Sequence, residues 1–337
     1  MAIPTTTGTT TETTTEATQR ERSRRQPAGQ QPPKRRSLPA ALLAAIRPRQ
    51  CLTKNLLVFG ALVFARRPQP GYAPISLLDF QAIGQALAAF VVFCLASGAV
   101  YILNDIRDVE QDRAHPRKRL RPIAAGDLPV PLAWGFFALL LVLMVGGAFL
   151  VRPLLAVIAT AYLLVNVGYS FGLKQQVILD VFIIASGFVL RAVAGAVAIA
   201  VAISPWLYVL IGLGALFLGF GKRRAEIMLL SETAGRHRRV LEEYSATLLE
   251  ELIAIVTAAT IMAYGLYTFS AENLPQNHAM MLTIPFVLYG LFRYLYLVYR
   301  KNEGGSPEQV LLSDKPLLTC IILWGLSCVV ILYYPWA

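Results

Sequence analysis

Long apolar runs dominate this chain, and short polar clusters interrupt them at near-regular intervals. From residue 38 onward nine apolar segments stand out: 52–66, 81–103, 130–150, 153–171, 177–201, 205–221, 247–270, 279–298 and 316–335. Most approach the roughly 20 residues that carry an α-helix across a bilayer core. Backbone polar groups in hydrocarbon must be satisfied inside their own segment, so each run predicts a helix. The expected fold is an all-α polytopic bundle of about nine transmembrane helices, with its polar site facing the cytoplasm.

Composition agrees: 56% of the 337 residues are hydrophobic and only 15% are charged. Residues 1–37 differ sharply, being rich in Thr, Gln, Pro and Arg with almost no apolar side chains. Such a segment cannot bury a core, and it is expected to be a disordered basic tail preceding a transmembrane domain over 38–337. The net charge of +11 is concentrated in that tail and in a few loops. This argues against a nucleic-acid partner, which calls for an exposed basic surface. The basic loops fall around 103–130, at Lys174, in 222–246 and at Arg300–Lys301, whereas the alternate loops hold only Arg66, Arg67 and Arg152. By the positive-inside rule the N-terminus and the four basic loops are cytoplasmic, in a multi-pass plasma-membrane protein. Cys51, Cys94, Cys320 and Cys328 form no metal-type pair and read as small buried apolar residues.

The chemistry is concentrated where the second apolar run ends, in Asn104-Asp-Ile-Arg-Asp-Val-Glu-Gln-Asp112. Asp105, Asp108 and Asp112 are spaced three and then four residues apart, which places them on one face of a helix. Three carboxylates so arranged repel one another unless a cation lies among them. Mg²⁺ takes hard oxygen ligands and commonly shares them with a substrate diphosphate. The segment therefore predicts a metal–diphosphate site at the membrane surface, with Asn104 orienting a carboxylate or substrate oxygen.

Basic residues nearby are candidates for phosphate oxygens. Arg117, Arg119 and Arg121 follow the acidic motif between Pro116 and Pro122 and could offset charge on a departing diphosphate. Tyr169 and Lys174 close the fourth segment. Arg191 lies inside the fifth, where an ionisable group faces either a polar cavity or a partner. Lys222, Arg223 and Arg224 stand after the sixth; Lys222 and Glu226 have helical pairing spacing, leaving Arg223 and Arg224 for phosphate. Lys54 and Asn55, at the start of the first segment, complete the set.

Taken together, these features resemble the UbiA superfamily of intramembrane prenyltransferases over about residues 40–335. The resemblance rests on Asn104-Asp105-x-x-Asp108-x-x-x-Asp112, on Arg121-Pro-Ile-Ala-Ala-Gly126, on Tyr169 to Lys174 and on the nine segments. One departure matters. Members of the superfamily typically carry a second aspartate-rich motif between helices six and seven, where this chain reads Gly221-Lys-Arg-Arg-Ala-Glu226. Arg47-Pro-Arg-Gln50, Ala99 to Asn104, Lys118 to Pro122, Phe171 to Lys174 and Gly221 to Arg223 are similar to the branch that handles a phosphoribosyl donor.

That resemblance implies a Mg²⁺-dependent pentosyl transfer from 5-phosphoribosyl 1-diphosphate to a polyprenyl phosphate of decaprenyl type. The product would serve cell-wall or glycan precursor synthesis. Asn104, Asp105, Asp108 and Asp112 would form the catalytic centre, and the basic residues above would hold phosphates. Two alternatives stand beside it: a prenyltransferase moving a prenyl group from a diphosphate to an aromatic or tetrapyrrole acceptor, and a non-catalytic lipid-phosphate carrier. A homo-oligomer is compatible with any of the three.

Overall fold

The computed structural model describes residues 36–64, 79–116, 118–202, 204–230, 241, 243–271, 274–301, 305 and 307–333. Residues 1–35 of the proposed tail, Arg66, Arg67, Arg117 and the whole 231–240 segment lie outside them. All regular structure among the described residues is helical: α1 (Leu38–Ala45), α2 (Pro48–Asn55), α3 (Gly60–Phe64), α4 (Phe80–Arg107), α5 (Val109–Ala114), α6 (Val130–Val151), α7 (Pro153–Phe171), α8 (Leu179–Ala198), α9 (Pro205–Leu230), α10 (Ala246–Ser270), α11 (Ile284–Arg300), α12 (Pro307–Ser313) and α13 (Lys315–Tyr333). Among the described residues eight helices are long and apolar enough to cross a membrane, so the chain is a multi-pass membrane protein. The first apolar segment is instead a run of short pieces, α2, a 3₁₀ turn at Leu56–Phe59, and α3.

Local chemistry sets the element ends. The Asp79 carboxylate accepts hydrogen bonds from the Gln81 and Ala82 backbone N–H groups, capping α4. Ser245 caps α10 in the same way, through the Leu248 N–H. Arg152 turns extended between α6 and α7, and Pro153 starts the next helix without losing a bond.

Helix α4 packs against α6, α7 and α8, and α8 against α9, which in turn packs on α10. Alanines fill the closest crossings, with Ala89, Ala96, Ala99, Ala133, Ala148 and Ala159 all fully buried. Small side chains let helix backbones approach where lipid offers no hydrophobic drive. Large apolar residues on α6, including Val142 and Leu150, point outward to the hydrocarbon. The last helix returns to the first segment: the Tyr333 hydroxyl contacts the carbonyls of Leu62 and Val63, each at 3.1 Å.

One close approach depends on glycine. A Cβ at Gly195 on α8 would overlap the carbonyl oxygen of Val58 in the 3₁₀ turn. Gly195→Ala must displace that turn and should cost about 1–3 kcal/mol, the usual size of overpacking. Gly84→Ala, in open space on α4, should not destabilise. Thermal unfolding of both variants in detergent checks this; equal midpoints would contradict the packing.

Candidate active site

The acidic motif straddles a helix break. Asn104 and Asp105 end α4, Asp108 sits at the junction, and Asp112 lies on α5. The chain barely bends there, since the Asp108 N–H still bonds to Asn104 O and the Asp112 N–H to Asp108 O. Asp105 and Asp112 are buried, each 2% exposed, whereas the Asp108 side chain is 28% exposed.

Two arginines hold the buried carboxylates. Arg47, from the turn before α2, donates to Asp105 Oδ1 at 2.5 Å. Arg121 donates to Asp105 Oδ1 at 3.1 Å and to Asp112 Oδ2 at 2.6 Å. Asp108 faces Lys174 Nζ at 3.9 Å. Asn104 accepts a hydrogen bond of 2.5 Å from Ser170 on α7. Arg107 lies over the Phe171 ring, fastening the same helix ends together. Arg47 holds left-handed backbone angles (φ 52°, ψ 63°), a conformation costly for a non-glycine residue. Its guanidinium also lies 4.8 Å from the Tyr101 ring centroid. A strained residue held by a carboxylate and an aromatic face is fixed by its surroundings.

The expected cation among three carboxylates was weighed against this geometry. Among the described residues no three His, Cys, Asp or Glu side chains converge as a ready-made cage. Arg121 supplies the positive charge between Asp105 and Asp112. One observation favours an added cation: Asp105 Oδ2 is buried with no hydrogen-bond partner among the described residues. A buried, orphaned carboxylate oxygen is costly unless something binds it. Asp105, Asp108 and Asp112 offer only hard oxygen donors, the ligand type that Mg²⁺ takes.

The other candidate residues separate into groups. Asn55 and Arg191 meet in the bundle interior, where Arg191 Nε donates to Asn55 Oδ1 at 2.7 Å. Lys54 is half-buried on α2, Arg119 is exposed, and Tyr169 is half-buried near the end of α7. Lys222, Arg223 and Arg224 lie inside α9, which continues to Leu230, and not in a loop. Lys222 is exposed. The expected Lys222–Glu226 pairing is replaced by Arg223, which donates to Glu226 at 2.6 Å and to buried Asp180 at 2.8 Å. Arg224 donates to Glu250 at 2.9 Å and lies over the Tyr299 ring. Arg223 and Arg224, expected to be left for phosphate, are each paired with carboxylates of their own or neighbouring helices.

Four partners, Ser170, Asp180, Tyr244 and Arg47, stand outside the candidate residues of the sequence. Ser170 is an ordinary residue until α7 brings it to Asn104. Asp180 and Tyr244 are far apart in sequence, yet Tyr244 donates to Asp180 Oδ1 at 2.7 Å and accepts from the Ile178 N–H at 2.6 Å. Ile178 itself has a positive φ of 68°, so Tyr244 straps a strained turn beside Lys174. Arg47 carried the one legible signal, a cation just before a proline-started helix at the membrane edge.

The family model for the UbiA prenyltransferase family matches residues 57–313, and this chain belongs to that family. A decaprenyl-phosphate phosphoribosyltransferase of Corynebacterium glutamicum is 37% identical over 311 residues, covering 90% of this chain and 89% of the relative. One of Mycobacterium tuberculosis is also 37% identical, over 294 residues, covering 87% of this chain and 94% of that protein. Among solved structures, a UbiA homologue of Archaeoglobus fulgidus bound to GPP and Mg²⁺ superposes with a TM-score of 0.65 at 15% identity, covering 87% of this chain and 99% of that one. A digeranylgeranylglyceryl phosphate synthase superposes at 0.63 and 17% identity, covering 87% and 99%. These superpositions establish the shared fold.

Burial, together with the hydrogen bond to Asp180, pushes the Tyr244 hydroxyl above its usual range. A raised folded value means its stabilisation is complete below the unfolded pKa of about 10 and is lost as pH rises further. Tyr244→Phe should cost about 1–3 kcal/mol by leaving the Ile178 N–H unsatisfied. It should also speed hydrogen exchange across 172–180; unchanged exchange would contradict the strap.

Proposed function

We propose that this protein transfers 5-phosphoribosyl from 5-phosphoribosyl 1-diphosphate to a polyprenyl phosphate of decaprenyl type, releasing diphosphate. The observation that carries the reading is a site with buried carboxylates at one helix end and a surplus of arginines, where the second aspartate-rich motif of prenyl-diphosphate users is absent. The relatives' names point the same way. Asn104, Asp105, Asp108 and Asp112 form the catalytic centre in this reading. Asp105, Asp108 and Asp112 would hold Mg²⁺, which supplies Lewis-acid neutralisation of the departing diphosphate.

Each remaining role follows from the chain. Arg47, Arg121 and Lys174 already contact the acidic motif and are placed to turn toward diphosphate oxygens. Charge develops there as the C1–O bond breaks. The diphosphate leaves with the bonding electron pair, and ribose C1 takes on oxocarbenium character. A phosphate oxygen of the lipid forms the new bond to C1 from the opposite face, with inversion. The phosphate anion is already nucleophilic, so no general base is needed. Ser170 keeps the Asn104 amide oriented. The polyprenyl tail lies along the apolar helices.

The basic loops support a cytoplasmic location for the acidic end of the bundle, where a soluble phosphorylated sugar is accessible. An impermeant thiol reagent on intact cells should therefore fail to label Lys222→Cys, and should label it after lysis. Labelling in intact cells would reverse the assigned orientation.

The transfer itself is tested with purified protein in detergent, Mg²⁺, labelled 5-phosphoribosyl 1-diphosphate and polyprenyl phosphate. Label should move to the organic phase, and Asp108→Ala should abolish this while the unfolding midpoint is kept. Consumption of a prenyl diphosphate instead would move the protein to the prenyl-transferring alternative.

A further inference from the structure

Below the carboxylates lies a second polar centre, built around Arg191. This residue is 5% exposed and sits in the middle of α8. It donates to Gly187 O at 2.7 Å, to Asn55 Oδ1 at 2.7 Å and to the Tyr162 hydroxyl at 2.8 Å. The Tyr162 ring lies beneath the guanidinium at 4.7 Å and Phe188 at 5.5 Å. Asn55 in turn donates toward Cys94 and Ser97, and Ser97 meets Tyr162 at 3.3 Å. Every one of these partners is neutral.

Charge balance sets Arg191 apart. The other buried arginines, Arg223 and Arg224, pair with Asp180, Glu226 and Glu250. The half-buried Arg47 and Arg121 pair with Asp105 and Asp112. Among the described residues Arg191 makes no ion pair. A buried cation without a counter-ion is expensive in a membrane bundle, and such residues are usually functional.

The depth is set by register. Helices α2 and α4 run antiparallel, with Arg47 opposite Asp105 and Asn55 opposite Ser97. The two levels are eight residues apart on both helices, about 12 Å at 1.5 Å per residue. With the reach of an arginine side chain, that spacing suits a sugar carrying a diphosphate at one end and a phosphomonoester at the other. It does not suit a prenyl chain, which would strip water from Arg191 and return no charge. A lipid phosphate is also disfavoured, since its tail must leave toward the bilayer while Arg191 points into the bundle.

We infer that Arg191, with Asn55 and Tyr162 orienting it, binds the 5-phosphate of the sugar donor and thereby selects a phosphorylated sugar over a prenyl diphosphate. This rests on the phosphoribosyl reading above. The test compares 5-phosphoribosyl 1-diphosphate with ribosyl 1-diphosphate, which lacks the 5-phosphate, in wild type, Arg191→Gln and Asn55→Asp. Wild type should prefer the phosphorylated donor, and Arg191→Gln should reduce that preference roughly 10- to 100-fold in kcat/KM, the size of a lost charge-assisted bond. The KM for polyprenyl phosphate should stay within about twofold.

Asn55→Asp separates binding from folding. It gives Arg191 an internal counter-ion, so the unfolding midpoint should hold or rise while binding of ribose 5-phosphate weakens roughly tenfold or more. Undiminished donor preference in Arg191→Gln, or unchanged ribose 5-phosphate binding in Asn55→Asp, overturns the inference. A change in KM for the lipid phosphate alone would assign Arg191 to the acceptor and also overturn it. Wild-type protein that transfers neither sugar donor would instead sink the phosphoribosyl reading beneath it.

Discussion

Charge buried without water governs this molecule. A guanidinium or carboxylate taken into a helical bundle must find a partner or impose a large cost. The structure answers this with a ladder of pairs at one end of the bundle. Arg47 and Arg121 tie Asp105 to Asp112, Arg223 ties Asp180 to Glu226, and Arg224 meets Glu250. Among the described residues, Asp105 Oδ2 is buried without a hydrogen-bond partner and Arg191 has no carboxylate. One wants a cation and the other an anion, and Arg191, from α8, meets Asn55 one level below Asp105 on the α2–α4 pair.

The fold exists to keep those levels in register. Short α2 is pressed against α4, and the glycine at 195 allows the 3₁₀ turn after α2 to reach the α8 backbone. Tyr333 then fastens the last helix to the first segment. On the polar side, Ser170 and Phe171 hold the end of α7 to the acidic motif, and Tyr244 pins the following turn. The candidate site residues therefore stand on packed helices and on a strapped turn. Such placement keeps them in productive geometry without the reorganisation that loops would require.

Much of this was legible in the sequence, and the reasons for the rest are physical. Helix number and the acidic motif follow from hydrophobic run length and carboxylate spacing, both local properties. The assignment of the arginines did not follow, because local charge says nothing of which carboxylate another helix will bring. Gly221 to Glu226 read as a loop because charge ended the apolar run, yet α9 continues for 26 residues, about 39 Å at 1.5 Å per residue. That exceeds a bilayer core of about 30 Å, so its last turns carry charge outside the hydrocarbon. The left-handed backbone at Arg47 had no signal at all, since the conformation is imposed by Asp105 and Tyr101.

In the proposed complex the acidic motif and the deep arginine hold opposite ends of one doubly phosphorylated sugar. The decisive measurement is a structure of the protein with 5-phosphoribosyl 1-diphosphate and a divalent cation. Diphosphate and cation are expected at Asp105 and Asp108, with the 5-phosphate on Arg191. Donor bound elsewhere, with the Arg47–Asp105 and Arg121–Asp112 pairs intact and Arg191 contacting only neutral groups, would contradict it.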